Sequence, residues 1–344
     1  MAETRRLDGK TFLVTGGAGF IGSNFIRYLL QSYPDCKIIN LDKLTYAGNL
    51  ENLEDIAGNP RYTFVQGDIR DGEVVSSLYE KSDIVVHFAA ETHVDRSILE
   101  GGEFVLTDVH GTYILLETMR NHSIELFIHI STDEVYGSRK TGAFKEEDAL
   151  NPSSPYSASK AGADRLVYAY WVTYGLPVII LRPTNNYGPY QYPEKFIPLF
   201  ISNALEDKTL PLYGKGDNRR DWLFVEDHCR AIDCVLNKGN MGEVYNVGAQ
   251  NEISNIVIAN KIVELLGKPE SLIKHVPDRL GHDFRYSVDC RKIHSLGWKP
   301  AMDFEEALRL TVTWYSEKKS WWKKIKDKSR DFKSFYEKYY RDRK

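Results

Sequence analysis

The stretch Thr15-Gly16-Gly17-Ala18-Gly19-Phe20-Ile21-Gly22 limits the fold of this chain more than any other. It lies between a short apolar run, Lys10–Val14, and a helical pattern carried by Phe25, Ile26, Leu29 and Leu30. Glycines at 16, 19 and 22 allow a tight turn, a close approach of backbone to a pyrophosphate, and tight packing of helix on strand. Three glycines alone are a weak signal. The strand before them and the helix after them turn them into a dinucleotide-binding turn, with Phe20 and Ile21 in its helical arm. The next apolar run, Ile38–Leu41, ends at Asp42, twenty residues past Gly22. An acid there bonds a ribose 2'-hydroxyl and repels a 2'-phosphate, so the expected cofactor is NAD rather than NADP.

Four further strands follow from the same kind of pattern. Tyr62–Gln66 is the third, leading to Asp68 and Ile69 at a prospective adenine edge. Ile84–Phe88 is the fourth, and it runs into Ala89 and Ala90, small enough for a cofactor to pass close to the backbone. Leu126–Ile130 and Val178–Leu181 are the fifth and sixth. Six strands alternating with helices imply an α/β fold, a doubly wound parallel sheet with right-handed crossovers. Beyond Pro189 the elements become shorter and richer in charged and aromatic residues. Residues 1–189 are read as a Rossmann domain and 190–344 mainly as a smaller substrate-binding domain, some segments of which return to the sheet.

The chemistry is expected between Ser131 and Lys160. Thr132, Asp133 and Glu134 follow the fifth strand directly, at the carboxyl end where open α/β sheets place ligands. Neighbouring residues on a regular strand face opposite ways, so both acids reach one substrate only if the chain curls there. Tyr156 and Lys160 stand four apart at the start of a helical pattern and therefore share a face. A nearby ammonium, with an oxidised nicotinamide, favours the phenolate and makes Tyr156 a base for a substrate hydroxyl. An adjacent acid pair adds two proton transfers that simple alcohol oxidation does not need.

Composition narrows the remaining classes. A net charge of -3 and 42% hydrophobic residues describe a globular chain without an overall nucleic-acid or membrane-surface character. Cys36, Cys229, Cys234 and Cys290 lack metal or CxxC spacing and read as reduced cytoplasmic thiols. His93 lies in a loop with no metal constellation around it, so no metal is expected. Met1–Lys10 has no apolar core of a leader, and no run reaches the ~18 residues of a membrane span. The basic, aromatic tail Glu317–Lys344 is read as a helical segment packed on the body rather than a nucleic-acid tail. Outer faces of Phe104–Met119 and Ala161–Tyr174 are candidates for pairing in a homodimer.

These motifs resemble a known family. Gly16–Gly22, Leu41–Asn49, His93–Ser97, Ser131–Gly137, Tyr156–Lys160 and Asn185–Pro189 are similar to the extended short-chain dehydrogenases, and more narrowly to the dTDP-glucose 4,6-dehydratases. Pro193–Pro198, Arg220–His228, Tyr245-Asn246 and Gly281–Asp283 carry the likeness through nearly the whole chain. The resemblance implies tightly bound NAD, contacted also by Lys43, and a sugar-nucleotide substrate, dTDP-glucose. Tyr156 would take the 4-hydroxyl proton as C4 gives hydride to NAD, with Thr132 on the 4-oxygen and Lys160 on the phenol and the nicotinamide ribose. Glu134 would remove the C5 proton, Asp133 would protonate the departing 6-hydroxyl, and hydride would return to C6. Asn186, Lys195, Arg220, Asn246, Arg279 and His282 would hold the sugar nucleotide.

Three residues depart from the family pattern: Asp108 for Asn, Leu280 for Pro, and Phe284 for Arg. A UDP-glucose 4,6-dehydratase remains an alternative, and competition between the two nucleotides decides thymidine against uridine. Related epimerases and decarboxylases lack the acidic pair. A silent NAD-binding regulator would be expected to have lost Tyr156, Lys160 or that pair, and all are present.

Overall fold

The computed structural model describes residues 5–278, 283–328 and Phe332. The first strands are β1 (Thr11–Thr15), β2 (Lys37–Asp42), β3 (Tyr62–Gln66), β4 (Ile84–His87), β5 (Leu126–Ile130) and β6 (Val178–Pro183). They are followed by β7 (Asn185–Tyr187), β8 (Leu210–Tyr213), β9 (Arg219–Phe224), β10 (Val244–Val247), β11 (Glu252–Ser254) and β12 (Ile273–Val276). The central sheet has seven strands in the order β10-β6-β5-β4-β1-β2-β3, all its pairs parallel. The seventh, β10, comes from the later half of the chain. It was not among the six strands expected, because Val244–Val247 is only a four-residue run interrupted by the polar Asn246.

Alternation explains why these strands lie inside. Phe12, Val14, Ile84, Val86, Leu126, Ile128, Ile179 and Leu181 enter one apolar cluster, while Leu13, Val85, Phe127, Val178 and Ile180 enter another. Both faces of each strand are thus apolar, and each must be covered. The helices of this part of the chain are α1 (Phe20–Ser32), α2 (Gly72–Tyr79), α3 (Val94–Leu99), α4 (Gly102–Phe104), α5 (Thr112–Met119), α6 (Pro155–Tyr174), α7 (Phe196–Leu205) and α8 (Val225–Lys238). A π-helical turn, Val105–Gly111, joins α4 to α5. Side chains of α1 and α8 close the first cluster, and those of α2, α5 and α6 close the second.

A third apolar cluster lies outside the main sheet. Here α7 packs with α9 (Asn255–Leu265), α11 (Phe304–Glu317) and α12 (Lys319–Lys328), while α10 (Arg291–Ser295) lies by β10. Trp321, Trp322 and Phe332 are buried in that cluster, so the described part of the basic, aromatic tail packs on the body.

Helix α6 starts where its sequence dictates. Ser154 and Ser157 exchange hydrogen bonds in a capping box, Pro155 occupies the first turn, and Gly175 ends the helix in the left-handed region at φ 68°. A buried polar network fixes its middle. Asp164 accepts from Arg182 on β6 at 2.8 and 2.9 Å, and Arg182 also donates to Tyr136 Oη at 2.6 Å. Tyr136 donates to Asn246 Oδ1 on β10 at 2.8 Å. Asp164 and Arg182 are essentially inaccessible to water. Arg182→Met should therefore cost about 3–5 kcal/mol by leaving a buried carboxylate short of its main partner. A urea midpoint equal to that of the parent chain would show that the pair does not hold α6.

Candidate active site

One large groove runs along the carboxyl ends of β1, β2, β4, β5 and β6. Strand order reverses between β1 and β4, and that switch point is where an open α/β sheet leaves room for a ligand. Gly16, Gly19, Phe20, Ile21, Gly22, Asp42, Lys43, Asp68, Ile69, Ala89 and Ala90 all line it. So do Thr132, Asp133, Glu134, Tyr156, Lys160, Asn186 and Lys195.

The glycine turn is built for close approach. Gly16 has φ +71°, and a Cβ there would stand 2.6 Å from the Ala89 nitrogen. At Gly22 a Cβ would meet the Gly16 carbonyl oxygen at 2.5 Å and Gly17 Cα at 2.8 Å. Gly19 caps α1 without a side-chain hydrogen bond, so the helix presents its first N–H groups to the groove. Asp42 accepts from the backbone amides of Ala18 at 2.9 Å and Leu44 at 2.8 Å, which locks the β1–α1 turn to the end of β2. Burial raises its carboxyl, and those two amides oppose the rise. Lys43 bridges to Asp68 at 2.9 Å. Burial alone would raise Asp68, but Arg70 and Lys43 draw it down to about 2. These groups suit a dinucleotide: amides for the pyrophosphate, acids for the ribose, and small residues for the ring path.

The curl required by the acidic pair is present. Immediately after β5 the chain winds into a 3-10 turn, Asp133–Tyr136, capped by Thr132, whose Oγ1 accepts from Glu134 N at 3.2 Å. Both acids thereby line the same groove. Their surroundings differ. Asp133 is buried and Thr132 Oγ1 donates to it at 3.3 Å, while burial, then Glu134 and Asp221, push its carboxyl well above the usual range. These surroundings favour its protonated form. Glu134 lies 3.4 Å from the hydroxyl of Tyr286, which also donates to Asp283 at 2.6 Å.

Tyr156 and Lys160 face the groove from α6. Lys160 is buried and donates to the Ile130 carbonyl at 2.7 Å, which ties the helix to the end of β5. Burial lowers its ammonium, opposed by Asp108 and Asp164. The phenol is raised rather than lowered: burial acts first, then Glu134 and Asp108, against a hydrogen bond from Thr132. Within the protein's own field Tyr156 thus holds its proton, and a cation beside it is needed to release it.

Two expected ligand residues do not line the groove. Asn246 is fully buried, and its amide joins Tyr136 to the Phe144 carbonyl at 3.0 Å. It serves the network that carries α6. Arg220 is buried, donates to the carbonyls of Arg219, Asp283 and Phe284, and stacks 4.2 Å above the Tyr286 ring. Both side chains make these contacts within the fold. Arg279 and His282, with Leu280, lie outside the described residues. Phe284 is half exposed. His93 is buried at the start of α3, and no cluster of three metal-ligating side chains occurs among the described residues. Thr45, Ala47, Gly48, Glu91, Thr92, Gln191 and Tyr192 line the groove without having been singled out. They are small or polar loop residues whose own types carry no distinctive signal.

Comparison with known proteins fits this geometry. The family described as GDP-mannose 4,6 dehydratase matches residues 13–311. A dTDP-glucose 4,6-dehydratase of Streptomyces niveus is 50% identical over 319 residues, covering 91% of this chain and 95% of its own length. The chain belongs to the dTDP-glucose 4,6-dehydratase family. The solved structure of a family member, DesIV from Streptomyces venezuelae with NAD bound, has a TM-score of 0.90 at 49% identity, covering 92% of this chain and 99% of that one. That of Bacillus anthracis, also in complex with NAD, has a TM-score of 0.86 at 52% identity, covering 92% and 99%. In this family member, Gly22→Ala should force backbone atoms apart at the phosphate turn and cost about 1–3 kcal/mol. A thermal midpoint and NAD affinity equal to those of the parent chain would contradict the close approach seen at Gly22.

Proposed function

We propose that the chain converts dTDP-glucose to dTDP-4-keto-6-deoxyglucose and water, with NAD held in the glycine-turn half of the groove. The observation that carries this reading is the pair of acids with unlike surroundings, placed beside Tyr156 and Lys160 in one groove. NAD bound there supplies the acceptor for hydride from C4 and the donor that returns it to C6. Tyr156 receives the 4-hydroxyl proton, and Thr132 bonds the 4-oxygen. Lys160, on the same face of α6, positions the nicotinamide ribose, and the oxidised cofactor adds the positive charge that the raised phenol needs.

A ketone at C4 acidifies the C5 proton, which Glu134 removes. Asp133, whose carboxyl burial and its neighbours push upward toward the neutral form, delivers a proton to the departing 6-hydroxyl. One acid is thus armed as donor before the substrate arrives. Gly16, Gly19, Phe20, Ile21, Gly22, Asp42, Lys43, Asp68, Ile69, Ala89 and Ala90 are assigned to the cofactor. Asn186 and Lys195 are assigned to the sugar nucleotide, Lys195 being steadied by the Thr92 carbonyl.

We assign residues 1–189 chiefly to NAD and 190–344 chiefly to the substrate, with β10 supplied to the sheet by the latter. A homodimer is proposed through the outer faces of the π-helical turn, α5 and α6. Val105, Leu106, Tyr113, Tyr168, Val172 and Tyr174 are exposed there, with Val172 at 63%. A cytoplasmic site is proposed on the four cysteines, all free, and on the absence of any described helix long and apolar enough to cross a membrane.

The parent chain incubated with dTDP-glucose should yield a product lighter by one water, and UDP-glucose should yield little. Glu134→Gln should form bound NADH at a near-normal rate and then stall before water is lost. Normal dehydration by that variant would remove Glu134 from the C5 step, and failure of the parent chain on dTDP-glucose would overturn the substrate.

A further inference from the structure

Behind Tyr156 and Lys160 lies a carboxylate that the proposed reaction does not use. Asp108 is on the π-helical turn and is almost wholly buried. Its Oδ1 accepts from the Glu91 amide at 2.8 Å, in the loop after β4, and its Oδ2 accepts from Ser159 Oγ at 2.6 Å, on α6. It joins the loop along one wall of the groove to the helix that bears both catalytic side chains. Among the described residues no ion pair is made to Asp108, whereas Asp164, the other acid acting on Lys160, is already paired with Arg182 and Arg165.

Charge balance in this pocket is therefore specific. Lys160 donates to a neutral carbonyl and is pushed toward its uncharged form by burial. Asp108 opposes that push more than Asp164 does, and Lys160 is the charge Asp108 feels most. Tyr156 feels Glu134 more than Asp108. The groups facing Asp108 are Lys160 and Tyr156 from α6 and Glu91 from the loop. His87 on β4 bonds Thr112 one turn along and is held neutral by burial and by Lys160. Loss of the Asp108 charge would thus act on the ammonium before the phenol.

We propose that Asp108 is a positioning residue for the hydride-transfer step, tying α6 to the Glu91 loop and keeping Lys160 an ammonium beside Tyr156. This rests on the dehydratase reading of the groove. Burial, against Lys160 and Ser159, raises the Asp108 carboxyl to about 7, so its charge is present in the folded chain only toward neutral and alkaline pH. The raised value also gives a readout independent of catalysis. An acid with a raised folded-state pKa binds a proton that the unfolded chain has released. Stability then falls as pH rises from the ordinary carboxylate value of 3.8 to about 7, and levels off above it.

Asp108→Asn tests the charge with little change of shape. Oδ1 can still accept from Glu91, and the new amide can donate to Ser159 Oγ, whose own proton can go to the Tyr156 carbonyl at 2.8 Å. Two results are expected. In the protein without added substrate, the thermal midpoint of the parent chain should drop relative to the variant between about pH 4 and pH 7, with a constant gap above. In the NAD-loaded enzymes, the alkaline limb of the NADH-formation rate should move down by about one pH unit or more in the variant, because Lys160 loses its proton sooner. A midpoint gap that does not vary with pH would overturn the charge assignment. A uniformly slower variant with an unmoved alkaline limb would overturn the link to Lys160 and leave Asp108 as scaffold. Failure of the parent chain on dTDP-glucose would instead count against the substrate reading, and the midpoint comparison would still judge Asp108.

Discussion

The site depends on a buried ion pair that does not itself line the groove. Arg182 and Asp164 lie out of water, and the cost of removing both charges from solvent is met by paired contacts and by the Tyr136 hydroxyl. Arg182 belongs to β6, Asp164 to α6, and Tyr136 closes the 3-10 turn that begins at Asp133. Through Asn246 the same network reaches β10. Tyr156 and Lys160 on one side and Asp133 and Glu134 on the other are thus referred to one fixed point. A shift of α6 against β5 would separate the base for the first proton from the groups for the next two.

Burial then gives four titratable groups different readiness. Desolvation and two neighbouring acids raise the Asp133 carboxyl and favour its neutral form, which suits proton delivery to a leaving hydroxyl. Tyr156 is raised by the same desolvation, so its ionisation depends on positive charge arriving near it. Lys160, on the same face of α6, carries its own charge at an energetic disadvantage, because it is buried too. Asp108 and Asp164 offset that disadvantage from behind. The groove is therefore poorly set for proton removal by the phenol alone and better set once a cationic ring lies beside it. Such a dependence would link the first proton transfer to the presence of the oxidised cofactor.

The sheet and the phosphate turn were legible because their signals are local. A glycine at φ +71° with no room for Cβ and an acid at the end of the next strand are each read from a few adjacent residues. Runs such as Leu126–Ile130 declare burial on both faces by composition alone. The curl at Asp133–Glu134 was legible as a requirement, since two adjacent side chains had to face one way. What was not legible depends on distant partners. Nothing near Asn246 says that its amide will be consumed by Tyr136 and Phe144, more than a hundred residues earlier in the chain. Arg220 has the chemistry of a phosphate ligand, and its contacts with the Asp283 and Phe284 carbonyls come from residues more than sixty positions away. The short β10 was missed for the same reason, its place being fixed by pairing with β6 rather than by its own pattern.

The central claim is a redox cycle closed within one active site. Substrate deuterated at C4 of the glucosyl ring, mixed with an equal amount of unlabelled substrate, tests it most directly. Deuterium should appear at C6 of the same product molecule, with solvent hydrogen at C5 and no exchange of label into the unlabelled pool. Label lost to solvent, shared between molecules, or retained at C4 would contradict a mechanism in which C4 and C6 exchange one hydride through a single bound nicotinamide.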